Sequence, residues 1–332
     1  MIKRAFISKI IAFLVGLLCL FIAYNHNSSQ TYIFKGQAYG TSWTVTTTSY
    51  LNDTHKSSIK KIINRVDYVA SNYKENSEIA LINLLGDSQE INISLDLYEI
   101  LDIANQITLL TDGAYDIKLG KYSSSFGFAP SFNKDLSSSG DPSFTLNKSN
   151  LTLNKEGGFW FDLSSVAKGY AVDEIVKYLE LNNFNNYIVE IGGELTVKGF
   201  NHSDSWLLAI QDPSKIDQGV GQLITNINSE KISIATSGEY RNYNFSSEGK
   251  KVTHTINPAT KLSINNDALS VTVISKQSAA HADALATAFN VMTTNSAIKL
   301  ANENNLAVLF IVQDSDYLNF IYTDAWYYSK YE

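Results

Sequence analysis

Residues 161–170 combine residue types that could bind an anion. They read as the end of a strand, a turn entered by Asp162, and the first turn of a helix that carries Lys168. Free backbone N–H groups at a helix start and the positive end of the helix dipole both favour phosphate. The Asp162 carboxylate could add hydrogen bonds to a sugar or a base, or help to hold a cation. Taken alone, such a junction is more often plain α/β scaffolding, so both interpretations stay open.

Residues 281–288 could hold a metal ion. On a helix, Asp283 and Thr287 lie one turn apart on the same face. A carboxylate and a hydroxyl that converge in this way suit a hard cation such as Mg²⁺, which prefers oxygen ligands. The structural alternative is that Asp283 caps the helix while Thr287 bonds back to a carbonyl. Alanine at every second position from 282 to 288 would let another backbone approach closely.

Three further segments each allow a ligand-binding and a structural interpretation. In residues 111–116 a glycine turn lies between acids, and Tyr115 could cover a ring system, although a helix end explains the glycine equally well. Gly192-Gly193 could let a ligand approach the backbone, or could mark a bulge. Residues 237–241 and 254–258 offer an arginine and a histidine in one region, or form a solvated hairpin.

Composition and missing motifs narrow the functional classes. The chain has 332 residues and a formal net charge of −7, which argues against non-specific binding of nucleic acid. Its sequence has no G-x-x-x-x-G-K-[ST], H-E-x-x-H or C-x-x-C motif. Gly219-Val220-Gly221 lacks the third glycine and the following helix of a dinucleotide-binding fold.

The N-terminus has the pattern of a targeting segment. Lys3, Arg4 and Lys9 precede residues 10–23, which carry no charge. A basic stretch followed by an apolar run is typical of export, although this run is short for a full membrane span. We expect residues 1–25 to be a signal peptide or an N-terminal membrane anchor, with the uncleaved anchor favoured over cleavage or lipidation at Cys19. Residues 26–35 are predicted to be a tether, and residues 36–332 one folded domain.

Helices and strands alternate irregularly along the remaining sequence. The periodicity predicts helices over about residues 56–72, 95–111, 165–182, 279–293 and 295–304. It predicts strands over residues 39–48, 187–191, 306–312 and 317–322. Residues 131–150, rich in Ser, Asn and Asp, are predicted to be a surface insertion. The mixture favours one compact α+β unit with largely antiparallel sheets packed with helices.

The order of these motifs resembles the ApbE family of FAD:protein FMN transferases over residues 36–325. The matching stretches, in chain order, are Tyr39-Gly40-Thr41-Ser42-Trp43, Ser71-Asn72-Tyr73 with Ser77-Glu78 and Asn83, Gly113-Ala114-Tyr115-Asp116, Asp162 with Lys168-Gly169-Tyr170-Ala171-Val172-Asp173, Gly192-Gly193, Ser237-Gly238-Glu239-Tyr240, His254 to Pro258, and Ala282-Asp283-Ala284-Leu285-Ala286-Thr287.

The resemblance implies an ApbE-like fold of the T-fold type and a specific reaction. Enzymes of the family bind FAD and Mg²⁺, cleave the pyrophosphate, attach FMN through a phosphoester to a threonine of a target protein, and release AMP. By motif, the residues expected to contact FAD are Tyr39, Tyr73, Ala114, Tyr115, Asp116, Asp162, Lys168 and His254. The residues expected to hold the metal are Ser165, Asp283, Thr287 and Ala286. Lys168, Asp283 and His254 would be catalytic, and the general base is either His254 or an aspartate at the metal.

The resemblance also implies partners and a location. The acceptor would be a subunit of a membrane redox complex or an exported flavoprotein. The protein would act at the periplasmic side of the bacterial cell envelope, at the inner membrane through its N-terminal segment, without nucleic acid. Two alternatives stay open, namely a FAD pyrophosphatase that gives FMN and AMP, and a non-catalytic periplasmic FAD-binding protein.

Three positions depart from the family pattern. Tyr39 replaces the usual methionine, which is expected to alter stacking on the flavin or adenine. Ser164-Ser165 stand where glycine or alanine is commoner, which is tolerable if the metal contact is a backbone carbonyl. Lys261 replaces a glycine, so the turn after His254 is expected to adopt a different conformation.

Overall fold

A computed structural model describes residues 9, 13–19, 30–86, 88–130, 141–214, 219–226, 229–238, 243–245, 251–264, 266–314 and 317–327. Most of the predicted signal or anchor, residues 26–29 of the tether, residues 131–140 of the insertion and residues 239–241 of one motif lie outside this part of the chain. In the part that is described, none of the helices has the length and apolar character needed to cross a membrane.

The centre of the fold is an eight-stranded sheet in which every neighbouring pair is antiparallel. Its strands, in spatial order, are β1 (Tyr32–Ala38), β2 (Thr41–Thr47), β6 (Tyr187–Ile191), β7 (Glu194–Lys198), β12 (Ile232–Gly238), β15 (Ala268–Ser275), β16 (Ala307–Asp314) and β17 (Tyr317–Tyr322). Strand β1 begins at Tyr32, so residues 32–35 of the predicted tether belong to the sheet.

Seven helices accompany the sheet in the described ranges from residue 30 onward. They are α1 (Asp53–Ala70), α2 (Glu78–Asn83), α3 (Leu95–Leu110), α4 (Gly120–Ser125), α5 (Ala167–Leu181), α6 (Ala279–Val291) and α7 (Thr294–Glu303). Polar side chains set the starts of five of them, because each accepts a hydrogen bond from an otherwise unpaired N–H group, whereas α4 and α5 begin without a side-chain cap. Asn52 caps α1 and Ser94 caps α3, so α3 begins at its predicted residue, whereas α1 begins three residues earlier than predicted.

Both faces of the sheet are covered. On β16, Val308 and Phe310 pack in the larger core with the helices, whereas Leu309 and Ile311 pack in a second core on the opposite face. This alternation follows from the two-residue period of a strand. The second core includes Trp206. A ribbon of β10 (Leu207–Gln211) and β11 (Val220–Thr225) contributes Ile210 and Ile224 to it.

Smaller sheets complete the described fold. Strands β3 (Ser88–Asn92), β5 (Thr152–Glu156) and β4 (Ser143–Asn147) form one, β8 (Phe200–Asn201) and β9 (Asp204–Ser205) a second, and β13 (Tyr243–Phe245) and β14 (Lys251–Thr253) a third. Within residues 131–150, predicted to be a surface insertion, the described part includes β4, whose Phe144 and Leu146 pack against the larger core while its alternate residues are exposed. The predicted α+β class with antiparallel sheets in one compact domain is confirmed.

Candidate active site

A cavity of about 560 Å³ opens beside the ends of β2, β6 and β12, where α5 and α6 approach the sheet. This volume lies in the range of ordinary small-molecule sites. The cavity gathers residues that are far apart in sequence, from Tyr39 in the β1–β2 turn to Val291 at the end of α6. It is therefore a product of the whole fold.

Nearly all the residues predicted from the motifs line this one cavity. They are Tyr39, Tyr73, Ala114, Tyr115, Asp116, Asp162, Ser165, Lys168, His254, Asp283 and Thr287. Ala286 is the exception, since it is 1% exposed, packs in the larger core and does not line the cavity. Its position one residue before Thr287 turns its side chain toward the core instead.

The turn before α5 is built on the carboxylate of Asp162. Its Oδ1 accepts a hydrogen bond from the N–H of Ser164 at 3.0 Å, and its Oδ2 accepts one from the hydroxyl of Ser123 at 2.6 Å. These bonds hold the turn, so the first role of Asp162 is to shape the cavity wall. Each oxygen keeps further acceptor capacity for a ligand.

The start of α5 differs from the predicted row of free N–H donors. The N–H of Ala167 donates to the carbonyl of Leu163 at 2.9 Å, and the N–H of Gly169 donates to Oδ2 of Asp283 at 3.2 Å. Two groups assigned to an anion are thus paired within the protein. The helix start instead orients the carboxylate of Asp283, which was expected to hold the metal.

Two buried asparagines fix the strand end that leads into this turn. The side-chain amide of Asn83 accepts from the N–H of Phe161 at 2.7 Å and donates to the carbonyl of the same residue at 2.9 Å. Asn72 donates to that carbonyl as well, at 3.0 Å. Both residues belong to the stretches that resemble the family, where no role was predicted for them. A buried amide that pairs with both backbone groups of one residue holds Asp162, the next residue, in place.

The most charged part of the cavity is a group of three side chains that we call the ammonium cluster: Lys168, Glu194 and Asp283. The Lys168 Nζ lies 3.4 Å from Glu194 Oε1 and 3.7 Å from Asp283 Oδ2. It also donates to the carbonyl of Ser164 at 3.1 Å. Glu194, which the motifs did not indicate as a site residue, is 5% exposed, as is Asp283.

Burial shapes the protonation of this cluster. It raises the pKa of Glu194 to about 8 and raises the pKa of Asp283, while the Lys168 ammonium works in the opposite direction on both. For Lys168, burial disfavours the charge, but the two carboxylates outweigh it and raise its pKa above the ordinary value. Lys168 is therefore an ammonium held by protein carboxylates.

Helices α5 and α6 meet closely at the cavity. A Cβ added to Gly169 would lie 2.5 Å from the carbonyl oxygen of Ala279, so only glycine fits. The carboxylate of Asp173 accepts from the N–H groups of Ala279 and Ala280 at 2.7 and 2.9 Å. These contacts fix the position of α6, and thereby that of Asp283 one turn further on. The close approach of another backbone therefore occurs at Ala279 and Ala280, outside residues 282–288 for which it was predicted.

The hydroxyls of Tyr115 and Ser165 lie 2.9 Å apart on the same wall. Burial raises the pKa of Tyr115, so it is neutral and available for hydrogen bonding. Asp116, one residue on, accepts from the backbone N–H of Lys118 at 2.8 Å and lies 3.0 Å from its ammonium. The glycine turn of residues 111–116 also ends a helix, because Gly113 adopts φ +79° just after α3. The structural interpretation of this glycine thus holds together with the place of residues 114–116 on the cavity wall.

Aromatic rings line the mouth of the cavity. The Tyr73 ring is 69% exposed and its hydroxyl donates to the carbonyl of Phe128 at 2.5 Å. The rings of Phe128 and His254 meet edge to face with centroids 6.2 Å apart. Tyr39 donates to the carbonyl of Ile63 at 2.6 Å and adopts φ +54° in the two-residue turn it forms with Gly40. Such strain in a residue other than glycine is often kept at functional sites.

The turn after His254 corrects one expectation. Lys261 has φ +59°, the left-handed conformation that glycine adopts most readily. The lysine has therefore not moved the turn out of that conformation. Hydrogen bonds hold it there, since the N–H of Lys261 donates to the carbonyl of Asn257 at 2.8 Å.

The cavity suits a cation that is shared with a ligand. Among the described residues, no three His, Cys, Asp or Glu side chains gather into a group that could hold a metal ion alone. Asp283 and Thr287 nevertheless line the cavity together, and buried Glu194 Oε2 has no hydrogen-bond partner in the part of the chain that the structure describes. Mg²⁺ usually binds through one or two carboxylates, waters and substrate phosphates, so the oxygens of Asp283 and Thr287 fit it.

A family model and curated proteins match most of the length of this chain. The model of the ApbE family matches residues 39–310. A FAD:protein FMN transferase of Vibrio cholerae is 33% identical, over 79% of this chain and 80% of that protein. One from Haemophilus influenzae is 32% identical, over 93% and 94%.

Solved structures show the same fold. The flavin transferase ApbE from Vibrio cholerae matches with a TM-score of 0.77 and 29% identity, over 89% of this chain and 98% of that one. The apo flavinyl transferase ApbE of Pseudomonas stutzeri matches with a TM-score of 0.76 and 26% identity, over 89% and 95%.

Proposed function

Because this chain belongs to the ApbE family, we propose that it transfers FMN from FAD to a threonine hydroxyl of a target protein, with Mg²⁺ at the pyrophosphate and AMP as the leaving group. The family makes the chain a transferase that acts on FAD. The observation that carries the finer proposal is the ammonium cluster, which lies beside Thr287 in the same cavity as the Asp162 turn.

The proposed reaction is a phosphoryl transfer. The threonine oxygen forms a bond to the FMN phosphorus, the bond from that phosphorus to the bridging oxygen breaks, and AMP leaves with the bridging oxygen. The hydroxyl proton passes to a base, for which His254 and Asp283 are both candidates on the cavity wall. Bound Mg²⁺ would neutralise negative charge on the phosphate oxygens.

Protein residues would supply the remaining parts of the site. Asp283 and Thr287 would hold the cation, with the carbonyl of Ser165 as a third ligand, and the Lys168 ammonium would stabilise charge on the pyrophosphate. Tyr73 and Tyr39 would contact the ring systems of FAD. Rigid support for these groups comes from Asn83 and Asp173, so little reorganisation is needed when FAD binds.

We also propose that the protein works in the bacterial cell envelope, on the periplasmic side, with residues 1–25 as its signal or inner-membrane anchor. The charge pattern of that segment supports this location. The acceptor would then be a membrane redox subunit or an exported flavoprotein.

One incubation separates the candidate reactions. The full chain is mixed with FAD, MgCl₂ and an acceptor domain that contains a threonine. Flavin fluorescence of the acceptor band in a gel indicates a transferase, free FMN with AMP indicates a pyrophosphatase, and unchanged FAD indicates a binding protein. The proposal predicts the first result.

Two substitutions test the residues. Asp283→Ala is expected to abolish transfer, and Lys168→Ala to weaken FAD binding measured by calorimetry. Asp53→Ala, at an exposed position outside the cavity, serves as the control and should leave both unchanged. Full transfer by Asp283→Ala would refute the metal assignment.

A further inference from the structure

Glu194 is a buried carboxylate, and its second oxygen has no hydrogen-bond partner within the described ranges. It begins β7 directly after Gly192-Gly193, and it lines the cavity beside Lys168. Its Oε1 lies 3.4 Å from the ammonium, whereas its Oε2 is buried without a hydrogen bond to any described residue. Buried polar atoms without partners are rare in folded proteins and are often explained by a functional state in which they are paired.

The ammonium of Lys168 lies where it would compete with a cation. It is 3.7 Å from Asp283 Oδ2, the same oxygen that accepts from the N–H of Gly169. A divalent ion on this carboxylate would meet a positive charge at close range. The ammonium must then find other acceptors, because an unpaired buried charge is strongly unfavourable.

We propose that Glu194 is a positioning residue that takes over the Lys168 ammonium when a divalent cation binds Asp283. This inference rests on the proposed function, which puts Mg²⁺ at Asp283. Glu194 Oε1 already lies near the ammonium and Oε2 offers a second acceptor, so a small rotation of the flexible lysine stem suffices. The carbonyl of Ser164, 3.1 Å from the ammonium, stays available throughout.

The charges of the cluster support this exchange. In the cation-bound state, in which the ammonium lies on an ionised Glu194, the side chains of Lys168, Glu194 and Asp283 together carry one negative charge, which attracts the divalent ion. With glutamine in place of Glu194 the cluster is neutral, and the ammonium has Asp283 as its remaining carboxylate in the cluster. A cation that binds Asp283 would then displace the Lys168 ammonium, and no second carboxylate of the cluster would be left to pair with it.

The test measures magnesium binding separately from turnover. Full chain is mixed with FAD over a series of MgCl₂ concentrations, and quenching of flavin fluorescence is recorded by stopped flow before FAD is consumed. For Glu194→Gln we expect the half-saturating MgCl₂ concentration to rise about tenfold, the usual order for losing one charged hydrogen-bond partner. Glu194→Asp keeps the charge and should stay closer to the wild-type value.

Glu180→Gln is the matched control. Glu180 also pairs with lysines, Lys198 at 2.8 Å and Lys231 at 3.3 Å, but it does not line the cavity. Its substitution should leave the MgCl₂ dependence unchanged. Melting temperatures of all variants verify that they are folded, and Glu194→Asp carries the comparison if Glu194→Gln does not fold.

A double substitution distinguishes positioning from direct attraction. In a Lys168→Met background there is no ammonium to receive, so Glu194→Gln should then change the half-saturating MgCl₂ concentration far less than tenfold. An equal effect in both backgrounds, or no effect in the wild type, overturns the inference. If Lys168→Met fails to bind FAD, the MgCl₂ dependence of the melting temperature gives the same comparison. A wild-type protein that ignores MgCl₂ would instead refute the proposed function.

Discussion

Gly169→Ala tests whether the close approach of α5 and α6 matters for catalysis. The added Cβ would lie 2.5 Å from the carbonyl oxygen of Ala279 and 2.6 Å from the Cα of Ala280. These are backbone atoms that cannot rotate away, so α6 must retreat by about 1 Å to restore ordinary contact. Asp283 moves with α6, and its 3.2 Å hydrogen bond from the N–H of Gly169 is then lost.

The expected magnitudes follow from this displacement. Overpacking a tight contact costs about 3 kcal/mol at the upper end, and alanine regains about 1 kcal/mol of helix propensity over glycine. We therefore expect the free energy of unfolding to fall by about 2 kcal/mol. A displacement of about 1 Å at a catalytic group can lower the rate roughly a hundredfold, so FMN transfer should suffer more than stability does.

Urea unfolding followed by circular dichroism gives the stability, and flavin fluorescence of the acceptor band gives the transfer rate. Gly86→Ala is the matched control, because no atom lies within 4 Å of its added Cβ and its φ is not positive. A Gly169→Ala protein as stable and as active as the wild type would refute the argument that this contact positions Asp283.

Three further predictions concern stability. Lys261→Gly should raise the free energy of unfolding by about 0.5 kcal/mol in urea melts, because glycine adopts the left-handed conformation without strain. This gain outweighs the greater flexibility of glycine in the unfolded state and the loss of the lysine contact with the Tyr122 ring. Lys261→Ala keeps the same φ and should show no gain. Asn83→Ala should cost about 2 kcal/mol and weaken FAD binding in calorimetry, because the N–H and the carbonyl of Phe161 both lose a buried partner; wild-type stability of this variant would contradict the role of Asn83. Burial raises the pKa of Glu194 from 4.5 to about 8, so between these pH values the metal-free folded state binds a proton that the unfolded state has lost, and the free energy of unfolding falls as pH rises. Glu194→Gln should flatten this pH dependence in urea melts. An unchanged dependence would contradict the raised pKa of Glu194.

Regular elements were predictable from the sequence where a local signal marks them. Strand β6 occupies its predicted residues, and α3 starts where Ser94 supplies a cap. The six-residue helices α2 and α4 are too short to show a period, and they were missed. The first four residues of β1 were assigned to the tether, because the pairing of this strand with β2 is decided by tertiary contacts.

The site was predictable as a set of motifs, and its internal arrangement was not. Motif order brought Asp162, Lys168 and Asp283 together correctly, since each follows or opens a recognisable element. Nothing in the sequence indicates that Glu194 would be buried with an unpartnered oxygen, because that depends on how far α6 lies from β7. The pairing of Asn83 with Phe161 spans 78 residues, and such contacts carry no local signature.

The hairpin of β1 and β2 connects the N-terminal end of the sheet to the wall of the cavity. Its turn holds Tyr39 at the cavity wall, and β1 runs back from there to Tyr32. Seven residues of strand span roughly 23 Å, so the chain enters the fold at the end of β1 that is farther from the cavity. If residues 1–25 anchor the protein as proposed, β1 holds the cavity roughly this distance away from the anchored end of the chain. The reaction would then take place in the aqueous phase, and the acceptor would present its threonine above the bilayer surface.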